Sequence, residues 1–187
     1  MDVKEAIEKR RAYRSFEPVN ISKNLIYDLA RCAQITASCF NNQPWRYVFV
    51  YDKEILKKMH EALSSGNEWA HKASMIIVVI GKKDDDCVIY DRIYFRYDIG
   101  MATEAMILRA TELGLVAHPI AGYSPKKTRK ILGIPDDLDV IALVIVGKHS
   151  NKINPELSDK QKKDEKKRPK RKDTVDFVYI NRYINKK

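Results

Sequence analysis

Apolar positions along this chain recur at two spacings, and the spacing separates helices from strands. Val3, Ala6 and Ile7 lie one helical turn apart and predict a short first helix that ends near Arg10, Arg11 and Arg14. Leu25, Leu29, Ala30 and Ala33 share a helical face after Ser22, whose hydroxyl suits an N-cap. Residues 45–51 read as a strand. Asp52 then suits the cap of a helix carrying Ile55, Leu56, Met59 and Leu63, and the β-branched run over 74–80 predicts a buried central strand.

The second half continues the mixture. Ile99, Ala102, Ala105, Met106, Leu108 and Ala110 predict the longest helix, over 98–113, with Gly114 at its end and with Gly100 and the alanines allowing close packing. A strand over 115–120 follows, then a helix opened by Ser124 and Pro125, then a second buried strand over 140–146. Residues 175–184 carry Phe177, Val178, Tyr179 and Tyr183, too apolar for a solvated tail. The 173–187 segment is therefore expected to dock, on a partner subunit. Helices mixed with short strands make the class α/β or α+β.

A chain of 187 residues fits a single domain over 1–187. No apolar run is long enough to span a bilayer, and the amphipathic start has no signal-peptide core, so a cytoplasmic, membrane-free protein is expected. The net charge of +10 is concentrated: residues 160–172 hold nine Lys or Arg against two acids, which leaves only +3 for the rest. With Pro155 and Pro169 nearby, 148–172 reads as a basic arm or long loop. Cys32, Cys39 and Cys87 show no C-x-x-C spacing and predict no disulfide framework, and the four histidines show no metal-binding spacing. Neither G-x-G-x-x-G, a P-loop nor a nucleophile elbow is present.

Two segments carry chemistry. Lys9-Arg10-Arg11-Ala12-Tyr13-Arg14-Ser15-Phe16 and Ala37-Ser38-Cys39-Phe40-Asn41-Asn42-Gln43-Pro44-Trp45 together resemble the nitroreductase family of FMN-dependent oxidoreductases, in order and at about the family separation. The 98–115 segment is similar to that family's central helix. His118-Pro119-Ile120-Ala121-Gly122-Tyr123 resembles its loop beside the flavin ring, and Ile131-Leu132-Gly133-Ile134-Pro135 its turn before the last core strand. Lys170-Arg171-Lys172 resembles its basic segment near the phosphate.

The resemblance implies an α+β, three-layer dimeric fold with a mixed, mainly antiparallel sheet flanked by helices. It implies that Arg10, Arg14 and Arg171 hold the FMN phosphate, with Arg11 and Lys170 secondary; a guanidinium fork matches a phosphate dianion. The family's serine is Ala12 here, and its proline is Ala37. Ser38, Cys39, Asn41 and Gln43 are expected beside the ribityl chain and pyrimidine of the partner's flavin. Asn67 is expected at the pyrimidine edge, and Pro119, Ala121 and Gly122 along the ring, where a residue without a side chain permits close approach. For His118, Trp69 and the tyrosines between 90 and 97, packing or surface roles weigh at least evenly with substrate contact.

The expectation is then a homodimer in which NADH or NADPH reduces FMN and a nitroaromatic, quinone or similar small-molecule acceptor reoxidises it, without a protein acid or base. Two other readings compete. One is a basic-armed module that binds nucleic acid or another polyanion, which the balanced charge of the body disfavours. The other is a specialised flavin-handling or dehalogenating protein of the same fold.

Overall fold

The structure, a computed structural model, describes residues 1–185. Its strands, in chain order, are β1 (Phe16–Glu17), β2 (Arg46–Val50), β3 (Met75–Gly81), β4 (Val88–Ile89), β5 (Arg92–Ile93), β6 (Leu115–Ile120) and β7 (Asp139–His149). Its α-helices are α1 (Val3–Lys9), α2 (Lys23–Gln34), α3 (Lys53–His60), α4 (Phe95–Glu112), α5 (Pro125–Leu132) and α6 (Asp159–Lys166). The main sheet has neighbours β2, β3 and β7 in that order, with β6 and β1 also paired to β7, and every pairing among the described residues is antiparallel. A small β4–β5 hairpin stands apart.

Alternation along β3 and β7 divides the interior into two cores. Ile76, Val78, Ile80, Leu143 and Ile145 face one side with Leu56, Met59 and Trp69; Met75, Ile77, Val79, Val144 and Val146 face the other with Leu29, Ile99, Ala102 and Met106. The first core lies under α3 and α5 and the second under α2 and α4, so the molecule is a helix–sheet–helix sandwich. This is why 74–80 reads as unbroken hydrophobicity: both faces of β3 are covered. Ser22, Asp52 and Ser124 cap α2, α3 and α5 through their side-chain oxygens, as their positions predict.

Several expectations change. α4 begins three residues before 98, with Phe95 buried in its first turn. Gly100 is exposed, and a methyl group there would meet nothing within 4 Å, so it is not a close-packing site. The 148–172 segment is not simply an arm: α6 sits in its middle, started by a capping box between Ser158 and Gln161. Cys39 and Cys87 form a disulfide, against the expectation of none, while Cys32 stays free. The fold brings two cysteines 48 positions apart together, a proximity that spacing alone does not reveal. The described residues of the 173–187 segment contain a 3-10 turn, Thr174–Asp176, and expose Phe177, Ile180, Tyr183 and Ile184; its last two residues lie outside the described ones. Among the described residues no helix is long and apolar enough to cross a membrane.

Candidate functional site

The arginine segment leaves α1 and enters β1, whose Phe16 pairs with His149 beside the beginning of β3. Arg10, Arg11, Ala12 and Arg14 line a cavity of about 150 Å³, closed on the other side by Asp164, Arg168, Pro169 and Arg171. Among the described residues none of these five arginines makes a salt bridge, although they crowd round one small cavity. Such crowding is unfavourable unless an anion neutralises it. Burial and then the charges of Arg10, Arg11 and Arg171 lower the pKa of Arg168.

The five are not equivalent. Arg11 is occupied: it donates to the Asp164 and Glu165 carbonyls at 2.5 and 3.2 Å and to the Tyr13 hydroxyl at 3.1 Å. Those carbonyls belong to the last turn of α6, where a helix has unsatisfied acceptors and a negative end. Arg168, which sequence reasoning overlooked, donates to the Glu8 and Arg10 carbonyls at 2.5 and 2.9 Å and so fastens the chain after α6 to the end of α1. Buried Glu165 completes this joint by accepting from the Arg14 amide at 2.5 Å. Arg10, Arg14 and Arg171 keep their guanidinium groups out of these hydrogen bonds. Lys170 is exposed and does not line the cavity.

From Arg14 a chain of contacts runs through the buried core to the next predicted residues. The Arg14 guanidinium stands 5.8 Å from the Trp69 ring centre, and Trp69, fully buried, stacks on His118 with centroids 4.8 Å apart. Trp69 Nε1 donates to Asn67 Oδ1 at 3.2 Å, and Asn67 Nδ2 donates to the Gly122 carbonyl at 3.0 Å. A Cβ at Gly122 would come 2.2 Å from Asn67 Nδ2, so a larger residue there would displace the Asn67 side chain. Pro119 and Ala121 are exposed on the same stretch. The structure therefore joins Asn67, Gly122 and the arginines through Trp69 and His118, two residues whose functional and packing roles the sequence left balanced.

Burial pushes the pKa of His118 down to about 4; the Tyr13 carbonyl, 3.0 Å from Nδ1, opposes this and the Arg14 and Arg10 charges reinforce it. The unfolded chain, with an ordinary value near 6.5, then takes up the proton first, so this group destabilises the fold as pH falls from about 6.5 toward 4. Between pH 7 and pH 5 the loss should be roughly 2 kcal/mol, and His118→Gln should remove that portion. Urea unfolding of both proteins at the two pH values checks this. An identical pH dependence would contradict it.

The 38–43 loop is at the other end of the sheet. It leads into β2, whose Arg46 pairs with Ile80 near the finish of β3, so the structure does not bring Ser38, Cys39, Asn41 or Gln43 to the arginines of their own chain. Phe40, Asn41 and Gln43 have φ of 47, 59 and 52°, a left-handed conformation that side chains resist. Local bonds hold it: Ser38 Oγ accepts from the Gln43 amide at 2.9 Å, Asp98 Oδ2 accepts from the Cys39 amide at 2.6 Å, and Cys39 is bonded to Cys87. Burial pushes the Asp98 carboxyl up, the Cys39 amide opposing and the Asp86 carboxylate adding to it. Ala37, Phe40, Asn41 and Gln43 are exposed.

The nitroreductase family model matches residues 7–68 and 64–148. A provisionally named NADH dehydrogenase/NAD(P)H nitroreductase of Archaeoglobus fulgidus is 33% identical over 145 residues, 75% of this chain and 82% of that protein. An NADH dehydrogenase of Thermus thermophilus is 25% identical over 178 residues, 79% of this chain and 86% of its own length. Among solved structures, an oxidoreductase described as containing FMN superposes with a TM-score of 0.86 at 26% identity, covering 100% of this chain and 95% of the other. A nitroreductase family protein of Clostridium difficile shares the fold, with a TM-score of 0.80 at 24% identity over 98% of this chain and all of its own. The chain belongs to the nitroreductase family, a family of oxidoreductases.

Proposed function

We propose that this protein is an FMN-dependent NAD(P)H oxidoreductase that works as a homodimer and passes electrons to a nitroaromatic, quinone or similar small molecule by a ping-pong scheme. The observation that carries the reading is the arginine cavity, whose five arginines make no salt bridge among the described residues, linked through the buried Trp69 to Asn67 and Gly122. Its charge and donor set fit a phosphate monoester, and Asn67 with the Ala121 and Gly122 backbone offers polar groups beyond it.

In this reading Arg10, Arg14 and Arg171 hold the phosphate, while Arg11 and Arg168 hold the protein around it. Asn67, oriented by Trp69, and the backbone at Ala121 and Gly122 address the flavin's polar edge. Bound FMN supplies the redox chemistry, taking electrons from the nicotinamide and yielding them to the acceptor. The chain's part is to bind, orient and shield. The 38–43 loop, remote from its own arginines, serves the partner's cofactor, and the exposed apolar residues after Thr174 contribute to the dimer.

The test is steady-state turnover of NADH or NADPH with a quinone acceptor, varying both substrates. The reading predicts a yellow protein and parallel double-reciprocal lines. A colourless protein that gains no activity with added FMN would overturn it.

A further inference from the structure

A second cluster of chemically active groups lies at the end of the sheet away from the arginines. The sulfurs of Cys39 and Cys87 and a carboxylate oxygen of Asp86 all fall within 4.8 Å of one another. Asp86 is only 9% exposed. Its Oδ1 accepts from Asn42 Nδ2 at 3.3 Å, but its Oδ2 is buried with no hydrogen-bond partner. An unpaired buried carboxylate oxygen is costly and uncommon in a native fold.

The surroundings sharpen the point. Asp98, 2% exposed, approaches from α4 and accepts from the Cys39 amide, so a second buried carboxyl lies beside the cluster without being one of its ligand groups. Among the described residues neither acid has a salt bridge; the neighbouring Arg46 pairs with Asp85 instead. Among the described residues Asp86 thus has no cation from the protein to meet its unpartnered oxygen. Asn42 adds a further donor: its side-chain amide lies 3.4 Å from Cys87 Sγ, and turned over it would present its oxygen there.

We propose that the reduced Cys39–Cys87 pair, together with Asp86, is a zinc-binding site that staples the strained 38–43 loop to the segment before β4. Two thiolates select zinc or another soft divalent ion over magnesium or calcium, which prefer all-oxygen sites. Zinc–sulfur bonds near 2.3 Å require the sulfurs to move apart, and a Cα separation of 6.0 Å leaves room for this by side-chain rotation. Asp86 is the third ligand, and water or the Asn42 oxygen fills the fourth place. The disulfide and the zinc site are alternative states. A dithiol reductant breaks the S–S bond by giving two electrons and closing to its own disulfide; the two cysteine thiols so formed release their protons to solvent as zinc binds.

The experiment uses the full chain, reduced with a dithiol and desalted without air, then dialysed to equilibrium against zinc alone. About one zinc per chain should bind to the reduced protein and none to the oxidised one. Zinc should protect two of the three cysteines from alkylation. Asp86→Asn should weaken binding by at least about tenfold, the loss that even an outer partner of a metal causes. Cys32→Ser should bind as the parent does. Zinc uptake by the reduced parent no greater than by Cys39→Ser/Cys87→Ser would overturn the site, as would unchanged affinity in Asp86→Asn. The alkylation pattern of the unmutated protein reads the site even if a variant folds poorly. FMN content, measured on the same samples, separates failure here from failure of the flavin reading.

Discussion

Alanine at both Arg10 and Arg14 should weaken FMN binding by about 3 kcal/mol, somewhat more than a hundredfold, and leave the fold intact. Each guanidinium is a charged donor set toward the cavity, and removing either from a desolvated phosphate loses a charge-assisted bond worth about 1.5 to 3 kcal/mol. The losses are less than additive because both act on one anion. Neither side chain makes a salt bridge among the described residues, so stability should change little, Arg14 losing its contact with the Trp69 ring while like charges separate. Arg11→Ala should behave in the opposite way. It lines the same cavity but is engaged with the last turn of α6, so its loss should lower unfolding stability more than it lowers flavin affinity. Fluorescence titration with denaturant unfolding on the two variants distinguishes them. Equal flavin losses would mean that position in the cavity matters and prior engagement does not.

Trp69→Ala should cost about 3 to 5 kcal/mol of folding stability, the range for deleting a large buried aromatic ring. The ring packs against Phe16 and His118, is 2% exposed, and lies under Arg14. Its indole N–H also holds Asn67, so Trp69→Phe should recover most of the packing but not that bond. The phenylalanine variant is therefore expected to fold with a loss of only about 1 to 2 kcal/mol and yet to bind FMN more weakly. Urea midpoints and flavin titration of both variants check this. A phenylalanine variant with parental flavin affinity would show that Trp69 supports the core alone.

The elements that sequence reveals best are those whose pattern has one physical cause. β3 and β7 read as buried strands because both faces are covered, and α2, α3 and α5 read correctly because a serine or aspartate precedes an apolar stripe. α6 was hidden by its own charge: lysines dominate 160–167, and only the Ser158 and Gln161 pair, three apart, marks a helix start. β1 has two residues, too few for any period.

The candidate site divides in the same way. Arginines and the asparagine of the motifs are visible as residue types, but which arginine is already engaged depends on α6 and on carbonyls more than 150 positions away. Arg168 looked like one more charge of the basic run. Trp69 and His118 could not be raised above ordinary core residues until their stack was seen to join the arginines with Asn67. The pairing of Cys39 with Cys87 depends on the fold bringing the segment before β4 against the 38–43 loop.

If the arginine cavity recognises a flavin through its phosphate, FMN and riboflavin should differ in affinity for the same flavin-free protein. The two ligands share the ring and ribityl chain and differ only in that group. FMN should bind more tightly by roughly a hundredfold or more, the difference shrinking sharply when both Arg10 and Arg14 are alanine. Equal affinity for FMN and riboflavin in the parent protein would contradict it.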